Sequence, residues 1–199
     1  MMIRSFIALD LPASTKKVLE ETSQRLRDQV PHSSVRWSRI SNLHLTLQFL
    51  GNVDETDLPP IKAALAEVGQ QHAPFAFAVG GLGCFPKLKS PRVVWVGVQE
   101  ETGALLALQR DVEKSLVPLG FKPERRAFRP HLTLGRVRRN ARPSEQRQLG
   151  DVIARTEVGE LDRVRVRWFR LMRSDLQPDG AIYTPLAVFN LTREGQVQG

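Results

Sequence analysis

The chain has 199 residues, 41% hydrophobic and 25% charged, the balance of a globular protein with one domain or two small lobes sharing a core. No apolar run approaches the roughly 18 residues of a membrane span, and the single Cys84 excludes an intrachain disulfide and a cysteine-based zinc site. A formal charge of +8 and a pI near 10.4 favour a polyanionic partner.

The opening MMIRSFIALDLP lacks the small-residue cleavage site of a signal peptide, so residues 3–9 read as a first strand and the expected compartment is the cytoplasm. Pro12 and Ser14 supply helix-start chemistry, and Val18, Thr22, Leu26 and Val30 follow at four-residue spacing on one face. Residues 35–37 and 43–50 are strand candidates. Asp57 is placed to cap a second helix, with Pro59 and Pro60 in its first turn and Ile61, Leu65 and Val68 on its apolar face. Residues 75–79 and 92–98 are strands separated by GGLGCFPKLKSP, whose glycines lack a phosphate-loop spacing and read as turn and bulge positions.

Thr102 caps a third helix striped with Leu105, Leu108, Val112, Leu116 and Leu119, and Gly120 stops it. Residues 131–137 form a strand, and a weaker helix with Gly150 in it begins near Ser144. Val164, Val166 and Trp168 then alternate with Arg163, Arg165 and Arg167. A Pro178-Asp179-Gly180 turn leads to a last strand over 182–191, closing a hairpin. Strand, helix, strand, strand, helix, read twice, predicts an α+β fold of two similar lobes with mainly antiparallel sheets.

The same doubling appears in chemistry. His44-Leu45-Thr46-Leu47 recurs as His131-Leu132-Thr133-Leu134, 87 positions later. Strand alternation sends the leucines to a core and puts each His and Thr on the other face, about 7 Å apart. If the lobes pack about a pseudo-twofold axis, two imidazoles and two hydroxyls meet across a groove. Core packing explains repeated leucines but not a repeated His and Thr. In-line displacement at phosphorus needs a base on the attacking oxygen and an acid on the leaving oxygen, and histidine titrates near neutrality. Threonine hydroxyls can donate to the non-bridging oxygens. No carboxylate or further histidine lies in either motif to complete a metal site, so no metal or cofactor is expected. His32 and His72 read as surface residues. Eight basic residues against one acid, Glu124, give the segment 122–142 a net +7 around His131, which suits phosphate attraction. Charge reversal at Arg138 or Arg139 is accordingly expected to raise KM and its salt sensitivity.

With these residues in view, the sequence resembles the two-histidine (2H) phosphoesterase superfamily, and within it the RNA 2′,3′-cyclic phosphodiesterases, also called 2′-5′ RNA ligases. The resemblance covers nearly the whole chain: RSFIALDLP, NLHLTLQFLG, GGLGCFP with PRVVWVGV, and LGFKPERRAFRPHLTLGRV. It implies one domain over 1–199, built of two lobes about a pseudo-twofold axis with a central cleft, each lobe giving one motif (44–47 and 131–134). It implies opening of a terminal RNA cyclic phosphate to a 2′-phosphomonoester without metal, His44 as proton donor, His131 as proton acceptor, and Thr46 and Thr133 on phosphate oxygens. Reverse 2′-5′ ligation is related chemistry. Phe49 and Arg136, each five residues beyond its histidine, are implied to contact the terminal nucleobase. An odd offset demands a bulge, which Gly135 could permit before Arg136. The expected partner is RNA with a cyclic phosphate end (tRNA fragments or oligonucleotides), acted on by a monomer. Two other readings compete: another 2H reaction, on 2′-5′ oligonucleotides or a small cyclic phosphate, and a non-catalytic RNA-binding module.

Overall fold

The computed structural model describes residues 1–124, 126–177 and 180–193; Arg125 of the basic segment and the Pro178-Asp179 turn lie outside the described residues. Strand β1 (Met2–Asp10) is covered on both faces over residues 5–9, with Ile7 and Leu9 in the core. Helix α1 (Ala13–Arg27) buries Thr15, Leu19, Thr22, Ser23 and Leu26. Its stripe therefore passes through Leu19 rather than Val18, and it stops before Val30. After β2 (Val35–Trp37) and β3 (His44–Asp54), α2 (Leu58–Gln71) buries Ile61, Leu65 and Val68 as its periodicity predicts. Asp57 adjoins α2 without a capping bond; Asp54, one turn earlier, accepts from the Thr56 N–H at 3.1 Å.

Strand β4 (Phe75–Phe85) runs through the glycines read as turn and bulge positions, so the segment is strand with a bulge and not a turn. Gly81, at φ 70°, drops out of register with β5 (Val93–Gln99), and this bulge lets the strand continue to Phe85. Helix α3 (Ala104–Leu116) buries its leucine stripe as far as Leu116; Leu119 follows in a 3-10 turn and is exposed. After β6 (His131–Val137), α4 (Pro143–Arg155) is better built than its glycine suggests. Glu145 accepts from the Arg142 N–H at 2.7 Å. A Cβ at Gly150 would collide with the Leu88 carbonyl oxygen, so the glycine lets the helix backbone press onto that loop. The chain continues through β7 (Glu160–Val166), β8 (Trp168–Gln177) and β9 (Gly180–Asn190), the last two forming the expected hairpin.

The strands form two sheets, ordered β3-β1-β8-β9 and β2-β6-β5-β4-β7, with every neighbouring pair antiparallel. Helices α2 and α3 pack on the first, α1 and α4 on the second. The fold is α+β and bilobal, with pseudo-twofold symmetry and a cleft between the lobes. The sequence halves and the lobes nevertheless do not coincide. The series β1-α1-β3-α2-β4 is repeated by β5-α3-β6-α4-β8, yet β8 lies beside β1 and β4 beside β5. Each half thus gives its last strand, and its first helix, to the other half's sheet. The crossing from β7 to β8 falls at Arg167, so Trp168 begins a strand in the other sheet and is 42% exposed, outside the Val164–Val166 alternation.

His72, read as a surface residue, has a side chain only 12% exposed and meets Asp111 at 3.1 Å, tying the end of α2 to α3; His32 is exposed as expected. Among the described residues no helix is long and apolar enough to cross a membrane. Fully buried Phe169 stacks on Phe189 at 5.1 Å between centroids where α2 covers its sheet. Phe169→Ala is expected to cost about 3–5 kcal/mol, read as a lower urea midpoint at unchanged slope.

Candidate active site

Both repeated motifs open a strand, and both strands carry the same irregularity. On β3, Thr46 faces Ala8 and Gln48 faces Ile7, which leaves Leu47 without a partner. On β6, Thr133 faces Trp95 and Gly135 faces Val94, which leaves Leu134 without one. The bulged residue is the fourth of each motif. One extra residue reverses the alternation beyond it, so the fifth residue after each histidine returns to the histidine's face. Phe49, 63% exposed, and Arg136 therefore line the cleft with the motifs. Gly135 follows the β6 bulge rather than forming it. A Cβ there would meet Val35 at 2.8 Å and Trp37 at 3.1 Å, so its glycine admits β2 as neighbour.

The leucines of both motifs are buried and His44, Thr46, His131 and Thr133 face the cleft, as alternation predicts. The two imidazoles are held alike. Nδ1 of His44 lies 2.7 Å from the Asn42 carbonyl oxygen, and Nδ1 of His131 lies 2.7 Å from that of Arg129. A carbonyl only accepts, so Nδ1 carries the proton in both rings and Nε2 is the nitrogen left for a ligand. Each ring also has an aromatic edge against it. Tyr183 stands T-shaped to His44 at 5.2 Å, and Phe85 to His131 at 5.0 Å, while Phe6 underlies His44 at 4.7 Å.

Burial pushes both histidines below the ordinary imidazole range, since it disfavours the charged ring; the carbonyl bond works against that in each. Their nearest charges differ. His44 pairs across β1 with Asp10, whose carboxylate favours the imidazolium, although Lys16 opposes it. His131 pairs across β5 with Gly97 and has Arg136 as its charged neighbour, which further disfavours the imidazolium. Asp10 itself is held ionised. Burial resists its charge, but Lys16 Nζ and Arg170 Nη1, each at 2.9 Å, and the Leu11 N–H at 2.8 Å bring it below the usual carboxylate range.

The cleft encloses about 1270 Å³. Its charged lining comprises Arg36, Arg39, Lys122, Arg126, Arg129 and Arg136 against Glu113 and Glu124, six basic side chains to two acidic. The expected basic segment thus contributes four of the six. Arg138 and Arg139 are exposed outside the cleft, and Arg142 pairs with Glu145 on α4. The charge-reversal effect on KM therefore belongs at Arg126 and Arg129 instead. Asp10, Phe6, Phe85 and Tyr183 are neighbours of the histidines that the motifs did not announce. A charged residue closing an apolar strand flagged Asp10; nothing local marked the three aromatics. Among the described residues no three His, Cys, Asp or Glu side chains group as metal ligands.

Comparison with known proteins agrees with this arrangement. The LigT like Phosphoesterase family profile matches twice, over residues 9–95 and 96–183, dividing the chain between the repeats. A protein of Archaeoglobus fulgidus named RNA 2′,3′-cyclic phosphodiesterase is 38% identical over 94% of this chain and 99% of its own length. One of the same name from Methanothermobacter thermautotrophicus is 35% identical over 96% and 100%. Among solved structures, a Thermus thermophilus protein superposes with a TM-score of 0.80 at 28% identity, covering 97% of this chain and 100% of its own. E. coli LigT, crystallised with 3′-AMP, superposes at 0.77 and 25% identity, covering 97% and 100%. With two profile matches, near-complete relatives and a shared bilobal architecture around paired motifs, the chain belongs to the LigT-like phosphoesterase family.

Proposed function

We propose that the protein hydrolyses RNA 2′,3′-cyclic phosphodiester ends to 2′-phosphomonoesters, and that the whole chain acts as one unit with one motif from each lobe. The observation that carries this is the mirrored pair of imidazoles, each locked by a carbonyl two residues upstream and each presenting Nε2 to one cleft. The names of the relatives and the 3′-AMP complex of E. coli LigT support the same substrate class. His131 removes a proton from water as its oxygen attacks phosphorus. The P–O3′ bond breaks on the opposite side, and His44 protonates the departing 3′ oxygen. Thr46 and Thr133 donate to the non-bridging oxygens, and the 2′ ester bond survives. With an RNA 5′-hydroxyl in place of water, the same displacement gives a 2′-5′ linkage, His44 again protonating the departing 3′ oxygen.

Symmetry alone leaves the roles of the histidines open. Their neighbours support a choice, because Asp10 favours a protonated His44 and Arg136 a neutral His131. Phe49 and Arg136 offer an aromatic face and a guanidinium plane for the terminal base. The reading also places the protein in the cytoplasm as a monomer.

The test is incubation of a short RNA ending in a 2′,3′-cyclic phosphate with the protein in EDTA, with the product identified. A 2′-phosphate is expected; persistence of the ring across pH refutes the reading, and a 3′-phosphate overturns the leaving-group assignment. Burial lowers both histidines in the free enzyme, so the kcat/KM optimum is expected below about pH 6.5. A bound phosphodiester anion favours the imidazolium, so the kcat profile moves to higher pH than the kcat/KM profile. A kcat profile shifted to lower pH contradicts this account.

A further inference from the structure

Two arginines face each other across the edge of the second sheet. Arg36 on β2 is in direct register with Arg136 on β6, and both line the cleft. Directly opposed residues in an antiparallel pair share a face with Cα atoms about 5 Å apart, and like charges so placed repel. Neither guanidinium meets a carboxylate among the described residues. The start of β9 comes close to Arg36 and Arg39. The point where a side chain at Gly180 would begin lies 3.8 Å from Arg36 Nη2 and 3.5 Å from Arg39 Nε. The other basic residues of the lining differ, since Lys122, Arg126 and Arg129 are accompanied there by Glu113 and Glu124. An arginine pair on an exposed strand edge, without a carboxylate partner among the described residues, is poor structural design and good anion-binding design.

The scissile phosphate does not account for both arginines. Arg136 already stands beside His131, whereas Arg36 lies one strand farther out, on the outermost strand of the sheet. We infer that Arg36 forms a second phosphate subsite, taking the internucleotide phosphodiester on the 5′ side of the terminal nucleotide. This rests on the RNA-end reading above and deepens it. The substrate class becomes an oligonucleotide end of two or more residues rather than a cyclic mononucleotide. Base contacts at Phe49 and Arg136 then read the last nucleotide, while Arg36 fixes the strand's direction into the cleft without reading sequence.

Binding tests this independently of turnover. The probes are a dinucleotide carrying a 3′-phosphate, and the same molecule with a neutral methylphosphonate in place of its internucleotide phosphate, titrated by calorimetry at low salt. The charged dinucleotide is expected to bind wild type about tenfold more tightly. In Arg36→Gln the two should bind alike, and Arg36→Lys should restore part of the gap. Exposure of Arg36 makes both substitutions compatible with the fold. No gap in wild type, or a gap that survives Arg36→Gln, overturns the subsite. A gap that disappears in Arg36→Gln alongside a failure to open any cyclic phosphate upholds the subsite and refutes the catalytic reading.

Discussion

His44→Ala and His131→Ala are each expected to lower kcat for ring opening by about two to four orders of magnitude, the range for loss of a positioned general acid or base. The two variants should fail differently. In His131→Ala the acid limb of the pH profile goes, because no base remains to be protonated there. In His44→Ala the alkaline limb goes, because no acid remains to be deprotonated. The wild-type limbs belong to the pair and cannot by themselves name its members; the variants can. A variant that keeps the full wild-type bell removes its histidine from the mechanism, and exchanged limbs reverse the roles while leaving the site intact. Asp10→Asn separates the roles further by removing the carboxylate that favours the His44 imidazolium, and should move the alkaline limb to lower pH.

The same residues leave a trace in stability. Both histidines have folded-state pKa values below the unfolded value, so between those two values the unfolded chain binds more protons. Stability therefore rises with pH in that interval, is complete above about 6.5 and falls as the solution is acidified below it. Asp10 is lowered too, and its contribution is lost only at more acidic pH, as it is protonated. Thermal melts of His44→Ala should show a shallower fall just below pH 6.5 than wild type.

Thr46→Val and Thr133→Val should each lower kcat on the order of a hundredfold, as expected for loss of one donor to a developing oxyanion, with little change in KM. Valine keeps the β-branched shape that suits a strand, so the hydroxyl is the group removed. The strand is held by bonds the substitution leaves alone. Ser38 donates through its hydroxyl to the Thr133 carbonyl and through its N–H to the Leu134 carbonyl, both at 2.8 Å. A double variant within a few-fold of wild type would take the threonines out of transition-state binding.

Much of this site was legible in the chain because its determinants are local. The period of two in a strand assigns His and Thr to one face and leucines to the other from four residues alone, and duplication of that pattern separates chemistry from packing. The fifth-position residues show where local reading ends. Phe49 and Arg136 fall on the wrong face under strict alternation, and only the pairing of β3 with β1 and of β6 with β5 reveals the bulges at Leu47 and Leu134 that return them.

The paired motifs, the apolar stripes of α2 and α3, the final hairpin and the concentration of positive charge near His131 all follow from local residue patterns. Tertiary structure alone decided how these parts are shared. Strand exchange puts β8 beside β1, because the inter-strand hydrogen bonds between them join residues far apart in the chain and leave no periodic mark. The same nonlocality sets Asp10 against His44 and Gly97 against His131, so two motifs of identical sequence sit in unlike electrostatic surroundings.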